Sequence, residues 1–275
     1  MNKLEAYKMD GLGNDFIIFD KREKSISLSK DEIIKISDRK NIGCDQVIFI
    51  EKDKNNNPFL KFYNSDGGEI SACGNGSRCV AYFLMKENNN KKISLRTKSG
   101  ILKAELNDKN LVSINIGEPN FEWNKIPLSK EMDYKNLKIK IKSINNKLIE
   151  GGFSLSVGNP HVIFFVENLN EFNLEEIGPD IENHTYFPQK CNVTIANVQN
   201  KKHVKIKVWE RGAGLTKACG TAACATAVSG SILNLTERNL NVEFSKGLLN
   251  IDWKKDNNIN MTGEVSEIKK IIVNI

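Results

Sequence analysis

Ala72-Cys73-Gly74-Asn75-Gly76-Ser77-Arg78 and Ala218-Cys219-Gly220-Thr221-Ala222-Ala223-Cys224 decide how this chain is read. Each sets a cysteine and then a glycine between a strand-like run and a helix-like run. The two cysteines lie 146 residues apart (219 − 73), and other polar residues recur at nearly that offset: Asn14 with Asn159 (145), Gln46 with Asn192 (146) and Asn64 with Glu210 (146). A thiol and its polar surroundings are therefore written twice, the signature of a duplicated domain. A pseudo-twofold fold built on that duplication is expected to bring the two thiols face to face across a cleft.

The 275 residues suit two domains of common size, each able to bury a core. The net charge of +6 comes from lysines spread through Asn-rich stretches such as Glu51–Asn57 and Lys86–Lys92, which read as solvated loops. Basic residues are neither gathered on one face nor interleaved with exposed aromatics, so nucleic acid is not an expected partner. No apolar run approaches the roughly 20 residues that span a bilayer, and no signal-peptide core follows the charged start. A soluble, cytoplasmic protein with no membrane partner is the expectation. The six cysteines read as free thiols, because no export signal accompanies them. With no Cys-x-x-Cys pair and three scattered histidines, no metal site is expected.

Alternating β-branched and aromatic runs predict strands over Leu4–Met9, Asp15–Asp20, Gln46–Glu51, Phe59–Asn64, Lys92–Thr97, Ile101–Leu106 and Leu111–Ile116. Helices are predicted at Ser29–Ser37, where Ser29 and Glu32 form a capping box, and at Gly74–Glu87. Gly117-Glu-Pro-Asn120 then breaks the pattern. The second half follows with strands near Leu137–Ile144, Leu148–Leu155, His161–Val166, Cys191–Ala196 and Val204–Glu210, a helix over Gly220–Asn234, and strands near Asn241–Ser245, Leu248–Trp253 and Asn258–Met261. Ile268–Ile275 lies beyond the repeat and is assigned as a strand returning to the first domain. The expectation is an α+β protein of two pseudo-symmetric domains, residues 1–117 plus 264–275 carrying Cys73 and residues 118–263 carrying Cys219. Each would be a mixed sheet wrapped round a central helix.

Unsatisfied N–H groups and the positive end of a helix dipole point at a residue that opens a helix. Cys73 and Cys219 are therefore expected to be stabilised as thiolates relative to a reference pKa of about 8.5, with room for a carboxylate on the same N–H groups. Two such thiols suit removal of an α-proton from one face of an acid and delivery of a proton to the other, which inverts the stereocentre. Helix-start donors on the carboxylate would stabilise the charge that develops. Cys44, Cys79, Cys191 and Cys224 read as buried and inert, Cys79 and Cys224 being turned away by the helical period. His161 and Glu210 are ionisable partners able to tune the thiols. The amides of Asn14, Gln46, Asn64, Asn75, Asn159 and Asn192 are read as substrate-binding groups.

With these residues in place, the chain resembles the diaminopimelate epimerase family. Asn64-Ser-Asp-Gly-Gly-Glu-Ile-Ser-Ala-Cys-Gly-Asn-Gly-Ser-Arg78, Met9-Asp-Gly-Leu-Gly-Asn-Asp-Phe16, Gly43-Cys-Asp-Gln46, Gly158-Asn-Pro-His161, Glu210-Arg-Gly-Ala-Gly214 and Ala218-Cys-Gly-Thr221 carry the likeness over the full length. The resemblance implies a cofactor-independent epimerase converting LL-2,6-diaminopimelate to the meso form, in lysine and peptidoglycan precursor synthesis. It makes Cys73 and Cys219 base and acid, assisted by His161 and Glu210. The α-carboxylate would rest on the N–H groups of Gly74, Asn75, Gly220 and Thr221. Asn64, Asn192, Glu210 and Arg211 would hold the distal end, with Asn14, Gln46 and Asn159 completing the pocket. Arg211 can grip a carboxylate bidentately. Three residues depart from the family pattern: Asp10 where His is frequent, Leu215 where Glu is common, and Ala222 where Gly is common. The oligomeric state is left open, a homodimer being one arrangement the sequence allows. Two rival readings are a proline or hydroxyproline racemase-like enzyme and a non-catalytic redox switch in which the paired thiols form a reversible disulfide.

Overall fold

The computed structural model describes residues 3–54 and 57–275. Two compact units divide the chain, Met1–Asn115 with Thr262–Ile275 and Ile116–Met261. In the first unit β1 (Lys3–Gly11) and β2 (Asn14–Asp20) form a hairpin turning at Leu12 and Gly13, both left-handed with φ 63° and 77°. After α1 (Lys30–Ser37) come β3 (Gln46–Lys52), β4 (Pro58–Asn64), β5 (Glu69–Ile70), α2 (Gly74–Glu87), β6 (Lys92–Thr97), β7 (Gly100–Asp108) and β8 (Leu111–Gly117). The capping box predicted for α1 is present, Ser29 and Glu32 each bonding the other's backbone N–H.

The second unit opens with a separate hairpin of β9 (Ile139–Lys142) and β10 (Leu148–Gly151). It then runs through β11 (Phe153–Ser156), β12 (Pro160–Phe165), α3 (Leu174–Glu182), β13 (Asn192–Asn200), β14 (His203–Glu210), β15 (Gly214–Thr216), α4 (Gly220–Ile232), β16 (Asn239–Phe244), β17 (Gly247–Trp253) and β18 (Ile259–Glu264). The pairings repeat those of the first unit. β1–β2 and β11–β12 are antiparallel, β2–β3 and β12–β13 parallel, β3–β4 and β13–β14 antiparallel, and β4–β6 and β14–β16 parallel. A mixed sheet is thus made twice. Finally β19 (Lys269–Asn274) pairs antiparallel with β1, from Lys3↔Asn274 to Lys8↔Lys269.

A central helix occupies each unit. Asn75 through Met85 of α2 are all buried, as are Ala222 through Gly230 of α4. Each helix is buried on every side along these stretches, and each fully buried Val, Leu, Phe or Met contributes about 1.5–3 kcal/mol. Gly76 shows how tightly α2 sits: a Cβ there would lie 2.7 Å from Ile48 Cδ1 and 3.2 Å from the rings of Phe16 and Phe62. Gly76→Ala is expected to push the start of α2 off the sheet and to cost about 1–3 kcal/mol. A denaturant midpoint equal to that of the parent protein would refute this. Ala222, at the matching position of α4, is fully buried, so its methyl group fits where the second unit packs differently.

Three expectations need correction. The strand predicted over Leu148–Leu155 is two strands in different sheets, broken at Gly152, whose φ of 103° suits glycine; a Cβ there would also meet Val162 at 3.1 Å. The helix predicted to reach Asn234 stops at Ile232, because Asn234 is left-handed (φ 57°) and Leu235 N bonds back to Gly230 O. α3 was not foreseen, since Gly178-Pro179 reads as a helix breaker. Tertiary packing overrides that signal: Asn173 caps α3, and Gly178 lies flat on Trp209, where a Cβ would come within 2.6 Å of the ring. Among the described residues no helix is long and apolar enough to cross a membrane.

Candidate active site

The repeated topology lines up the predicted amides along one edge of each sheet. Asn14 opens β2, Gln46 opens β3 and Asn64 closes β4; strand directions put all three at the same end. In the second unit Asn159 immediately precedes β12, Asn192 opens β13 and Glu210 closes β14.

Cys73 is the N-cap of α2 and Cys219 the N-cap of α4, with nearly the same backbone conformation: φ −140°, ψ 118° and φ −132°, ψ 111°. Gly74 and Asn75, and likewise Gly220 and Thr221, are the first residues of those helices, so their N–H groups have no intrahelical acceptor.

Around Cys73, the sulfur accepts the Gly76 N–H at 3.4 Å and lies 3.9 Å from Asn14 Oδ1. The Asn14 amide is fixed from behind, because its Nδ2 donates to Asp45 at 3.0 Å. Asp45 is held by Arg39 at 2.6 Å, and Arg39 also grips Asp15 with bonds of 2.7 and 2.8 Å. Burial works against the Asp15 carboxylate, yet Arg39 and Lys8 hold it below the ordinary range. Gln46 donates to Asn64 Oδ1 at 3.0 Å, leaving its buried Oε1 with no partner among the described residues. The Asn75 side chain is buried beside the helix start, and its Oδ1 is likewise without a hydrogen bond. Asp10 takes a structural role, its carboxylate accepting the Gly13 N–H of the hairpin turn at 2.9 Å.

Around Cys219 the chemistry is different. Its sulfur lies 3.4 Å from Thr221 Oγ1, and the Glu210 carboxylate acts on it electrostatically. Thr216 Oγ1 donates to Glu210 at 2.5 Å. Burial, then the Glu210 charge, pushes the Cys219 thiol well above its ordinary value, so the expected stabilised thiolate is not found at this helix start. Burial also raises Glu210. Burial raises Cys44, Cys79 and Cys191 too, in keeping with inert core thiols, and Cys224 is fully buried.

His161 is fully buried and does not bond Cys219 directly. Its Nε2 meets Asn159 Oδ1 at 2.9 Å, Asn159 Nδ2 donates to Thr221 Oγ1 at 3.4 Å, and that hydroxyl faces the sulfur. Since Asn159 uses Nδ2 toward Thr221, the hydrogen-bond network assigns the proton to His161 Nε2. Burial, reinforced by the Arg211 charge, lowers His161 to about 3. An unfolded histidine protonates near 6.5, so folding is opposed increasingly as pH falls from 6.5 toward 3, by up to about 1.4 kcal/mol per pH unit. Denaturant titrations at pH 7 and pH 5 are expected to show this loss and His161→Gln to remove it; an imidazole shift titrating near pH 6.5 would contradict the burial argument.

Asn192 accepts Arg211 N at 3.0 Å and donates to Pro160 O at 3.0 Å, and Arg211 Nη1 donates to Gln189 O at 3.0 Å. Leu215 is half exposed opposite Trp209 in the β14–β15 ladder, so that departure leaves no buried gap. Asp45 and Thr216 escaped the sequence reading, although Asp45 lies inside the quoted Gly43–Gln46 motif.

The family model for diaminopimelate epimerase matches residues 6–122 and 153–268. A diaminopimelate epimerase of Pelagibacter ubique (strain HTCC1062) is 54% identical over 272 residues, 99% of each chain. Another, from Caulobacter sp. (strain K31), is 40% identical over 270 residues, 94% of this chain and 93% of that one. Among solved structures, a PhzF-family phenazine biosynthesis protein of Bacillus anthracis matches with a TM-score of 0.70 at 16% identity, covering 100% of both chains, a likeness of fold alone. Family match and full-length relatives agree with the doubled half-site: this chain belongs to the diaminopimelate epimerase family, a family of isomerases.

Proposed function

We propose that the protein interconverts LL- and meso-2,6-diaminopimelate by two-thiol proton transfer, in lysine and peptidoglycan precursor synthesis. The observation that carries this reading is the pair of cysteine N-caps with matched backbone conformation, each opening the central helix of its unit. One sulfur, as thiolate, removes the α-proton. The other, as thiol, delivers its proton to the opposite face of the same carbon, so the two exchange protonation states and nothing is consumed. Proton in and proton out require no resident cofactor.

In this reading the N–H groups of Gly74, Asn75, Gly220 and Thr221 hold the reacting α-carboxylate and stabilise charge as the carbon acid ionises. Glu210 takes the Cys219 proton when that residue must act as base, and the Thr221 hydroxyl steadies the resulting thiolate. Neutral His161 keeps Asn159, and through it Thr221, correctly turned. Asn64, Asn192, Glu210 and Arg211 hold the distal amino-acid end, while Asn14 and Gln46 complete the pocket.

The test is turnover of LL-diaminopimelate by the purified, reduced protein in deuterated water. The expected result is meso product carrying deuterium at the inverted carbon. No product and no exchange would sink the reading. Turnover of proline at comparable efficiency would overturn the substrate assignment.

A further inference from the structure

Glu182 is the last residue of α3 and only 5% exposed. A carboxylate there faces the negative end of the helix dipole and loses its water, so it needs strong ligands. It has them on either side of one dipeptide. Oε2 accepts the Trp209 indole N–H at 2.7 Å, and Oε1 accepts the Gly212 backbone N–H at 3.0 Å with Lys190 Nζ 3.7 Å away. Trp209 immediately precedes, and Gly212 immediately follows, Glu210-Arg211. Gly212 is left-handed (φ 74°), so the segment turns sharply where the carboxylate grips it. Gly178 of the same helix lies against the Trp209 ring, which fixes that shoulder sterically as well.

We propose that Glu182 is a positioning residue: its buried carboxylate clamps both shoulders of Glu210-Arg211 and so sets where the Arg211 guanidinium meets the distal end of the substrate. This rests on the reading that Arg211 serves that end. Glu210 has an independent anchor in Thr216, so loss of the clamp bears on binding by Arg211 more than on proton transfer.

Glu182→Gln leaves one acceptor for two donors. In the full-length protein it is expected to raise KM for LL-diaminopimelate about tenfold with kcat within about threefold. Backbone amide exchange in residues 209–214 should quicken about tenfold while the rest of the chain keeps its protection. Trp209→Phe removes one donor and keeps the packing on Gly178; the same signature is expected there at roughly threefold, and that variant decides the matter if Glu182→Gln does not fold. Unchanged KM, or a raised KM with unchanged exchange in 209–214, overturns the proposal. If the parent protein does not turn over diaminopimelate, the functional reading fails by itself, and unchanged exchange in 209–214 still overturns the clamp.

Discussion

Cys73→Ser and Cys219→Ser are each expected to lower epimerisation on the order of 10²–10⁴-fold while leaving the fold in place. A positioned acid or base contributes a factor of that size, and a serine hydroxyl is too weak an acid to fill the role at neutral pH. The fold should survive because serine is a favoured N-cap and both positions are N-caps already. The pairing of the two variants gives the test its force. Both sites must fail, since a lone thiol can only return the proton to the face it came from. Wild-type-like turnover in either variant, with the thermal midpoint unchanged, would remove that sulfur from the reaction.

Glu210→Gln should lower kcat on the order of 10²-fold or more and also change the shape of the pH profile. The carboxylate accepts a hydrogen bond from Thr216 and its charge acts on Cys219; an amide in its place cannot take the thiol proton. Burial raises Glu210 above its ordinary value of 4.5, so in the parent enzyme kcat should fall as pH drops through that raised value and the base becomes protonated. The residual activity of the variant should lack this acid limb. An identical limb in both proteins would assign it to another group. Because burial and Glu210 both disfavour ionisation of Cys219, that thiol is expected to rest protonated at neutral pH, and iodoacetamide should label it slowly until pH rises well above the usual thiol range.

Much of the architecture was legible because it is locally encoded. The Ser29 cap, the glycine after each paired cysteine, the continuous apolar run of β3 and the period-2 runs of β4 and β6 are signals in neighbouring residues. What was not legible depends on distant partners. The Gly178-Pro179 pair hides α3 until Trp209 is seen packed against it. The raised Cys219 thiol follows from enclosure and from a carboxylate nine residues earlier in sequence, neither of which a helix-start argument contains. In the candidate site, the 145–146 offset picked out residues that the sheets set along one edge in each unit. The supporting groups Asp45 and Glu182 have no such repeat to betray them; Glu182 falls opposite Ile36 at that offset.

The pairing of β19 with β1 has a consequence for biosynthesis. The residues of Ile116–Met261 are continuous, so they can collapse as soon as they leave the ribosome. The earlier-made unit cannot. Its β1 must wait, with one row of amides and carbonyls unpaired, until Lys269–Asn274 has been made, and a nascent chain stalled before Lys269 would expose that row to any passing strand.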